Sequence, residues 1–193
     1  MQIKRTLAVG ACAFALSMVL APASATALEA DTGGNASAPL LARFIEGGGA
    51  TDFALQAEPA VGYIYNQSGK CLEISNSSTA NGARAQQWDC NGQAGSNWSM
   101  ADAGGGTYYL VNAHSGKCLE IENSSTANGA RAQQWDCKGQ AGSKWKFYVV
   151  GGTAARVVNA KSGKCLEIEN SSKSNGARAQ QWDCNGQSGA YWH

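Results

Sequence analysis

The chain has 193 residues, with 15 Lys and Arg against 14 Asp and Glu, and a formal net charge of +1. This balance argues against nucleic acid as the main partner, and the presence of only two histidines argues against histidine-based catalysis or metal binding. Only 15% of the residues are charged and 24 are Gly, a composition typical of a turn-rich protein rather than a helical bundle.

The first residues follow the pattern of a cleaved secretory signal. Lys4 and Arg5 precede an apolar run over residues 7–21, and Ala-Ser-Ala ending at Ala25 follows it. This order predicts export with cleavage near that alanine, so we assign residues 1–25 to a signal peptide. The expected location is therefore extracellular, and we expect no membrane-spanning segment in the secreted protein.

Residues 26–60 differ in composition from the rest of the chain. They are acidic, Arg43 is their one basic residue, and they contain three consecutive glycines. The composition favours a linker or pro-segment. An apolar cluster after Pro39 has the spacing of one short amphipathic turn. The members of this cluster are Leu40, Leu41, Phe44 and Ile45.

From residue 61 onward the sequence repeats. Cys-Leu-Glu-Ile recurs at Cys71, Cys118 and Cys165, and Gln-Gln-Trp-Asp-Cys follows it in each copy. Apolar residues alternate or form short runs between Ser-Gly, Asn-Gly and Gly-Gly, a pattern typical of strands. A propeller needs at least about four blades, and a solenoid usually has distinct end repeats. Three alike all-β repeats predict one pseudo-threefold barrel over residues 61–193.

The cysteines predict disulfide bonds. Cys12 lies in the predicted signal, so an even number remains in an exported protein. Threefold symmetry permits pairing within each repeat or pairing with the next repeat, and we favour the first, which would stabilise the fold by roughly 3 kcal/mol per bridge. Without Cys-x-x-Cys or a repeated His, no zinc or other cofactor is expected. The expected pairs are Cys71 with Cys90, Cys118 with Cys137 and Cys165 with Cys184.

The expected disulfide also suggests a strand register. If Cys71 lies opposite Cys90 in an antiparallel pair, Glu73 lies opposite Trp88, and both project from the same face of the hairpin. Gln86 shares that face. A carboxylate, an indole and an amide are then expected together, once per repeat.

The same alternation assigns the remaining residues of the hairpin. Arg84 joins the face that carries the acid, whereas Leu72 and Ile74 point the other way, toward the interior. Gln87 and Asp89 would also point inward in this register, where polar side chains fit poorly.

An indole beside a carboxylate and an amide suits a sugar. The apolar C–H face of the ring stacks on the aromatic plane, and ring hydroxyls donate to the acid. The residue types alone leave open the alternative that these tryptophans pack and the glutamates are solvated. A second tryptophan closes each repeat, and core packing is its expected role. These closing residues are Trp98, Trp145 and Trp192.

At these residues the chain resembles the ricin-type β-trefoil lectins over residues 61–193. The resemblance is carried by Ser-Gly-Lys-Cys-Leu-Glu-Ile, by Asn-Gly-Ala-Arg-Ala-Gln-Gln-Trp-Asp-Cys and by the closing tryptophan. It implies an all-β trefoil that binds carbohydrate without catalysis. It also implies that the acid binds sugar hydroxyls, the tryptophan before the second cysteine stacks, and the glutamine supports the acid. These positions are Glu73, Gln86 and Trp88; Glu120, Gln133 and Trp135; and Glu167, Gln180 and Trp182.

Two features depart from the family pattern. The family's acid is usually Asp and here is Glu, and the family's Asn-Gln pair shortly before the closing tryptophan is replaced in every repeat. Both departures leave the family's galactose preference open for this chain. The replacing residues are Gly95 and Ser96, Gly142 and Ser143, and Gly189 and Ala190.

Four functions compete at this point. The leading hypothesis is a secreted lectin whose three sites act together on a glycan or polysaccharide. A glycoside hydrolase using Glu73 and Asp89 is disfavoured, because a catalytic pair needs contrasting environments and these acids recur identically. A protein-binding trefoil, such as a protease inhibitor or a toxin's targeting subunit, would need a distinctive loop in one repeat. Nucleic acid is disfavoured because the small positive charge is spread over all repeats.

Overall fold

The computed structural model describes Leu40, Leu41 and residues 60–193. The predicted signal peptide and most of the predicted linker lie outside the described residues. Among the residues described, no helix is long and apolar enough to cross a membrane.

Residues 60–193 form strands joined by turns and short 3-10 helices. The strands are β1 Val61–Gly62, β2 Cys71–Ile74, β3 Ala85–Trp88, β4 Trp98–Gly104, β5 Thr107–Asn112, β6 Cys118–Ile121, β7 Ala132–Trp135, β8 Trp145–Gly151, β9 Ala154–Asn159, β10 Cys165–Ile168 and β11 Ala179–Trp182. The 3-10 helices are Ser75–Ser77, Ala94–Ser96, Glu122–Ser124, Ala141–Ser143, Glu169–Ser171 and Ser188–Ala190.

Each repeat contributes one short antiparallel hairpin: β2 with β3, β6 with β7, and β10 with β11. The longer hairpins β4–β5 and β8–β9 connect successive repeats and pair with each other through β5 and β8. The strands run in the order β1-β4-β5-β8-β9-β10-β11, with β6 and β7 attached through β5 and with β2–β3 as a separate pair. This is the predicted all-β trefoil with pseudo-threefold symmetry.

The hydrophobic core lies between the three hairpins. Trp98, Trp145 and Trp192, here called the inner tryptophans, are fully buried in it. Their indole N–H groups donate to the carbonyl oxygens of Leu72, Leu119 and Leu166 at 2.9, 3.0 and 2.9 Å, so each of these three buried indole donors is paired. The aliphatic side chains packed with them include Ile74, Leu110, Ile121, Val157 and Ile168.

Leu40 and Leu41, from the segment predicted as a linker, pack into the same core. Both are helical and fully buried. The amide of Leu40 donates to the carbonyl of Tyr63 at 2.7 Å, and a Cβ at Gly62 would lie 3.4 Å from the Leu40 Cβ. The sequence showed the apolar turn but not that the barrel provides its hydrophobic contact.

The disulfides join Cys71 to Cys90, Cys118 to Cys137 and Cys165 to Cys184. Pairing within each repeat is therefore confirmed.

The register inferred from the disulfide is wrong by two residues. Cys71 lies opposite Trp88, and Glu73 lies opposite Gln86. The strand ends at Trp88, so Cys90 already belongs to the following turn and reaches Cys71 from beyond the ladder. A shift of two residues preserves the alternation of faces, which is why the acid, the amide and the indole still share one face.

Of the two polar residues expected to point inward, Gln87 is buried, whereas Asp89 is exposed, so that expectation is wrong for Asp89. The buried glutamines connect neighbouring repeats. Gln134 is fully buried, and its side-chain amide donates to the carbonyls of Ser78 and Ala80 in the preceding repeat at 2.7 and 3.0 Å. Ser115 donates to its side-chain oxygen at 2.7 Å. The backbone of Gln134 pairs with Gly82 and Ala83. This residue is therefore satisfied by hydrogen bonds rather than by solvent.

The same contact recurs around the threefold axis. Gln181 bonds the carbonyls of Ser125 and Ala127, both at 2.9 Å, and Gln87 bonds those of Ser172 and Ser174 at 2.7 and 2.9 Å. The first repeat thus contacts the second, the second the third, and the third the first. We call Gln87, Gln134 and Gln181 the inter-repeat glutamines.

Candidate carbohydrate-binding site

The outward face of each short hairpin carries the predicted constellation. In the first repeat, alternation places Trp88 and Cys71, then Gln86 and Glu73, on this surface, which we call the site face. The Gln86 amide donates to the Glu73 carboxylate at 3.3 Å. The corresponding bonds are 2.9 Å in both other repeats, from Gln133 to Glu120 and from Gln180 to Glu167.

The three glutamates are nearly buried, with exposed fractions of 3%, 5% and 3% for Glu73, Glu120 and Glu167. Burial raises the pKa of each carboxyl above its usual value, and the glutamine amide partly opposes that rise. A buried carboxylate with one side-chain donor retains free acceptor capacity. Hydroxyl groups of a ligand could occupy that capacity.

Trp88, Trp135 and Trp182, here called the outer tryptophans, are only partly buried, and Trp135 is 38% exposed. A glycine of the neighbouring repeat lies beside each ring. A Cβ at Gly82 would lie 3.7 Å from the Trp135 ring, and one at Gly129 would lie 3.6 Å from the Trp182 ring. Each site is therefore built by two successive repeats.

The third repeat has an open pocket of about 330 Å³ at this position. Three of its lining residues are those predicted from the sequence, Glu167, Gln180 and Trp182. The structure thus brings acid, amide and indole onto one concave surface, the shape typical of small-molecule sites.

The pocket also contains three residues that the sequence reasoning missed: Asn170, Ser171 and Gln187. Asn170 and Ser171 have φ angles of 56° and 48°, a left-handed conformation that folds the strand end back toward the pocket. The Gln187 side-chain oxygen is buried without a hydrogen-bond partner among the described residues. An acceptor of this kind is available to a ligand donor. The sequence feature that could have indicated Asn170 and Ser171 is the Glu-Asn-Ser-Ser segment, which recurs in two repeats.

Steric crowding explains why glycine stands where the family has asparagine. A Cβ at Gly95, Gly142 or Gly189 would lie 2.6–2.8 Å from the carbonyl oxygen of the isoleucine that ends the first strand of the hairpin in the same repeat, and 2.9 Å from a serine Cα. No side chain fits at these positions without moving backbone. In the third repeat, the amides of Asn170 and Gln187 line the pocket together with that of Gln180.

Asp89, the second acid of the hydrolase hypothesis, is engaged elsewhere. It forms an ion pair with Lys70 and accepts a hydrogen bond from the Asn175 amide at 2.8 Å. Both contacts lower the pKa of Asp89. The equivalent pairs are Lys117 with Asp136 and Lys164 with Asp183. In the described part of the chain, no group of three or more His, Cys, Asp or Glu side chains is arranged to hold a metal ion.

Comparison with known proteins agrees with this geometry. The family model described as "ricin-type beta-trefoil lectin domain-like" matches residues 53–135 and 141–193. The designed threefold-symmetric protein ThreeFoil is 35% identical with a TM-score of 0.67, and the match covers 69% of this chain and 96% of ThreeFoil. No curated protein sequence gave a significant match.

Two further structures show the fold in larger chains. The exo-beta-1,3-galactanase 1,3Gal43A from Clostridium thermocellum is 28% identical with a TM-score of 0.68, over 70% of this chain and 30% of that enzyme. The agglutinin from Abrus precatorius is 21% identical with a TM-score of 0.60, over 72% of this chain and 49% of the agglutinin chain. The described trefoil and the family match lead to one conclusion: the chain belongs to the ricin-type β-trefoil lectin domain-like family.

Proposed function

We propose that the protein is a secreted, non-catalytic carbohydrate-binding protein. The observation that carries this proposal is the pocket of the third repeat, where Glu167, Gln180 and Trp182 meet. Membership of a lectin-like family supports carbohydrate as the ligand class. Disulfides in every repeat support export, since such bonds persist in oxidising compartments.

The chemistry of the pocket fits one sugar residue. The half-buried indole of Trp182 offers an apolar plane to the C–H face of the ring. The Glu167 carboxylate, oriented by Gln180, accepts bonds from hydroxyl groups. The unpaired oxygen of Gln187 accepts a further hydroxyl. Stacking selects a pyranose face, and the acceptors select the hydroxyl pattern.

The three repeats make the binding multivalent. The same acid, amide and indole recur on Glu73, Glu120 and their partners, so a surface rich in one glycan can engage several sites at once. Linked weak sites can exceed single-site affinity by about 10²- to 10⁴-fold. We therefore expect tight binding to polysaccharides and weak binding to monosaccharides.

A glycan and polysaccharide array tests the proposal. The full chain, exported to an oxidising compartment, is compared with the triple variant Trp88→Ala, Trp135→Ala, Trp182→Ala. The matched control is Tyr148→Ala, which removes an aromatic side chain that is 51% exposed and lies outside the site face. Circular dichroism and thermal unfolding verify that each variant is folded.

The proposal predicts that the wild type and Tyr148→Ala bind the same glycans and that the folded triple variant binds none. Binding retained by the triple variant would move the site away from the outer tryptophans. Absence of wild-type binding to every glycan and polysaccharide would contradict the proposal and favour a protein partner. Cleavage of a bound glycan, followed by chromatography of the products, would contradict the non-catalytic role.

A further inference from the structure

One position beside the acid differs among the repeats. The amides of Ser75, Glu122 and Glu169 donate to the carbonyls of Arg84, Arg131 and Arg178 at 2.9, 2.9 and 3.0 Å. These residues face each other one step beyond the end of each hairpin ladder. Alternation places each pair on the site face, next to the acid and its glutamine.

In the third repeat this pair forms a continuous hydrogen-bonded chain with the site. Arg178 forms an ion pair with Glu169 at 2.5 Å and donates to the Gln180 side-chain oxygen at 3.0 Å. Gln180 in turn donates to Glu167 at 2.9 Å. The guanidinium charge is therefore neutralised by a carboxylate, and the same Nη2 group also donates to the glutamine that supports the acid.

The second repeat keeps the same residue types, but its Glu122 and Arg131 side chains are not joined by an ion pair as those of the third repeat are. The charge of Glu122 nevertheless helps to raise the pKa of Glu120. The local charge comprises two carboxylates and one guanidinium, as in the third repeat.

The first repeat lacks the neutralising acid. Ser75 occupies its position, and Arg84 is exposed, with no side-chain hydrogen bond or ion pair to another described residue. The bond from Gln86 to Glu73 is the longest of the three, at 3.3 Å. The local charge is one carboxylate and one guanidinium, and that guanidinium is available to a ligand.

We propose, building on the proposed function, that this position sets the charge preference of each site: the first repeat accepts a carboxylate-bearing sugar, whereas the second and third select neutral sugars. An unpaired guanidinium presents planar donors that match a carboxylate in bidentate geometry. The extra glutamate of the other repeats engages or balances the arginine and repels a uronate.

NMR of the indole N–H groups tests this proposal site by site. The ¹⁵N-labelled full chain is titrated with two matched pairs of probes, methyl galactoside against methyl galacturonide and methyl glucoside against methyl glucuronide. The outer tryptophans are assigned by single substitution to phenylalanine, so that Trp88, Trp135 and Trp182 report on separate sites. We expect Trp88 to favour the acidic member of a pair by about 5-fold, on the scale of one exposed ion pair.

Two reciprocal variants separate charge from structure. Ser75→Glu should remove the acid preference at Trp88, and Glu169→Ser should create one at Trp182. Arg84→Gln should also abolish the preference for the acidic sugar at Trp88, whereas Arg84→Lys should retain part of that preference. Added salt should weaken the preference in the wild type.

The outcomes separate this proposal from the proposed function. Equal preference at all three tryptophans, or no change at Trp88 in Ser75→Glu, would overturn the charge assignment while leaving carbohydrate binding intact. No response of any outer tryptophan to any of the four probes or to a polysaccharide would overturn both.

Discussion

The two tryptophans of each repeat illustrate how one residue type serves two regions of the molecule. Trp145 is fully buried and donates its indole N–H to the Leu119 carbonyl, whereas Trp135 is 38% exposed beside Glu120 and Gln133. The inner residue is surrounded by core side chains and the outer one by polar groups. Each repeat thus has an inner layer, the hydrophobic core, and an outer layer, the site face that we propose for recognition.

The largest expected effect comes from the inner layer. Trp145→Ala should lower the free energy of unfolding by about 3–5 kcal/mol, since it creates a cavity and leaves the Leu119 carbonyl unpaired. Trp135→Ala should cost less than about 1 kcal/mol, because its side chain already contacts solvent. Urea unfolding followed by circular dichroism measures both values. Equal losses would show that the two layers are not separate.

The disulfide connects the layers, because Cys118 is fully buried and Cys137 is exposed. The double variant Cys118→Ser, Cys137→Ser should lose about 3 kcal/mol, the scale expected from loop closure. The same urea measurement tests this, with the reduced and oxidised wild type as references. An unchanged midpoint would mean that packing alone holds the hairpin.

Gln133 and Gln134 are adjacent in sequence but face different layers, so substituting each should affect a different property. Gln134→Ala removes bonds to two carbonyls of the preceding repeat and should cost about 1–3 kcal/mol of stability, without changing glycan binding by the folded protein. Gln133→Ala removes the donor to Glu120 and should weaken binding at that site. Calorimetric titration with a polysaccharide and urea unfolding separate the two effects. Loss of binding in folded Gln134→Ala would contradict the assignment.

The smallest effects concern pH, and they should have opposite signs for two acids of one repeat. Burial raises the pKa of Glu120, so the folded state binds its proton more tightly than the unfolded chain. Its contribution to stability is therefore present below the usual value of 4.5 and is lost as the pH rises above it, and Glu120→Gln should remove that loss. Asp136 behaves oppositely: the Lys117 ammonium lowers its pKa to about 2.

The stability that Asp136 contributes is present above its unfolded pKa of about 3.9 and is lost as the pH falls toward 2. Asp136→Asn should therefore flatten the acid limb of the stability curve between those values. Thermal unfolding measured from pH 2 to 7 checks both variants. A curve of Glu120→Gln parallel to wild type above pH 4.5 would contradict the first sign.

Much of the fold could be predicted from the repeat itself. Three copies at one spacing, with alternating apolar residues and paired cysteines, lead to the trefoil and its disulfides. The face that carries Glu73, Gln86 and Trp88 was also predictable, because alternation survives a register error of two residues. The register itself was not, since a disulfide constrains two residues without requiring both to lie within strands.

Other features depended on contacts distant in sequence. Gln87 is buried because carbonyls of the third repeat accept its amide, and no local pattern reveals such partners. Leu40 and Leu41 form an apolar turn whose role becomes apparent only beside Gly62. The pocket residues Asn170 and Gln187 approach the site through a left-handed turn and a 3-10 helix, whose directions are set by the three-dimensional fold.

The ring of inter-repeat glutamines has a consequence for chain connectivity. In each repeat, a glutamine bonds loop carbonyls of one neighbouring repeat, and loop carbonyls accept the glutamine of the other. Tyr65 and His193 also exchange two backbone hydrogen bonds, at 2.9 and 2.8 Å. The contacts between repeats should therefore hold the repeats in place even when the polypeptide is interrupted between two of them. A chain cut at the glycine turn 104–106 should remain assembled as two associated fragments, and such fragments should complement each other when mixed.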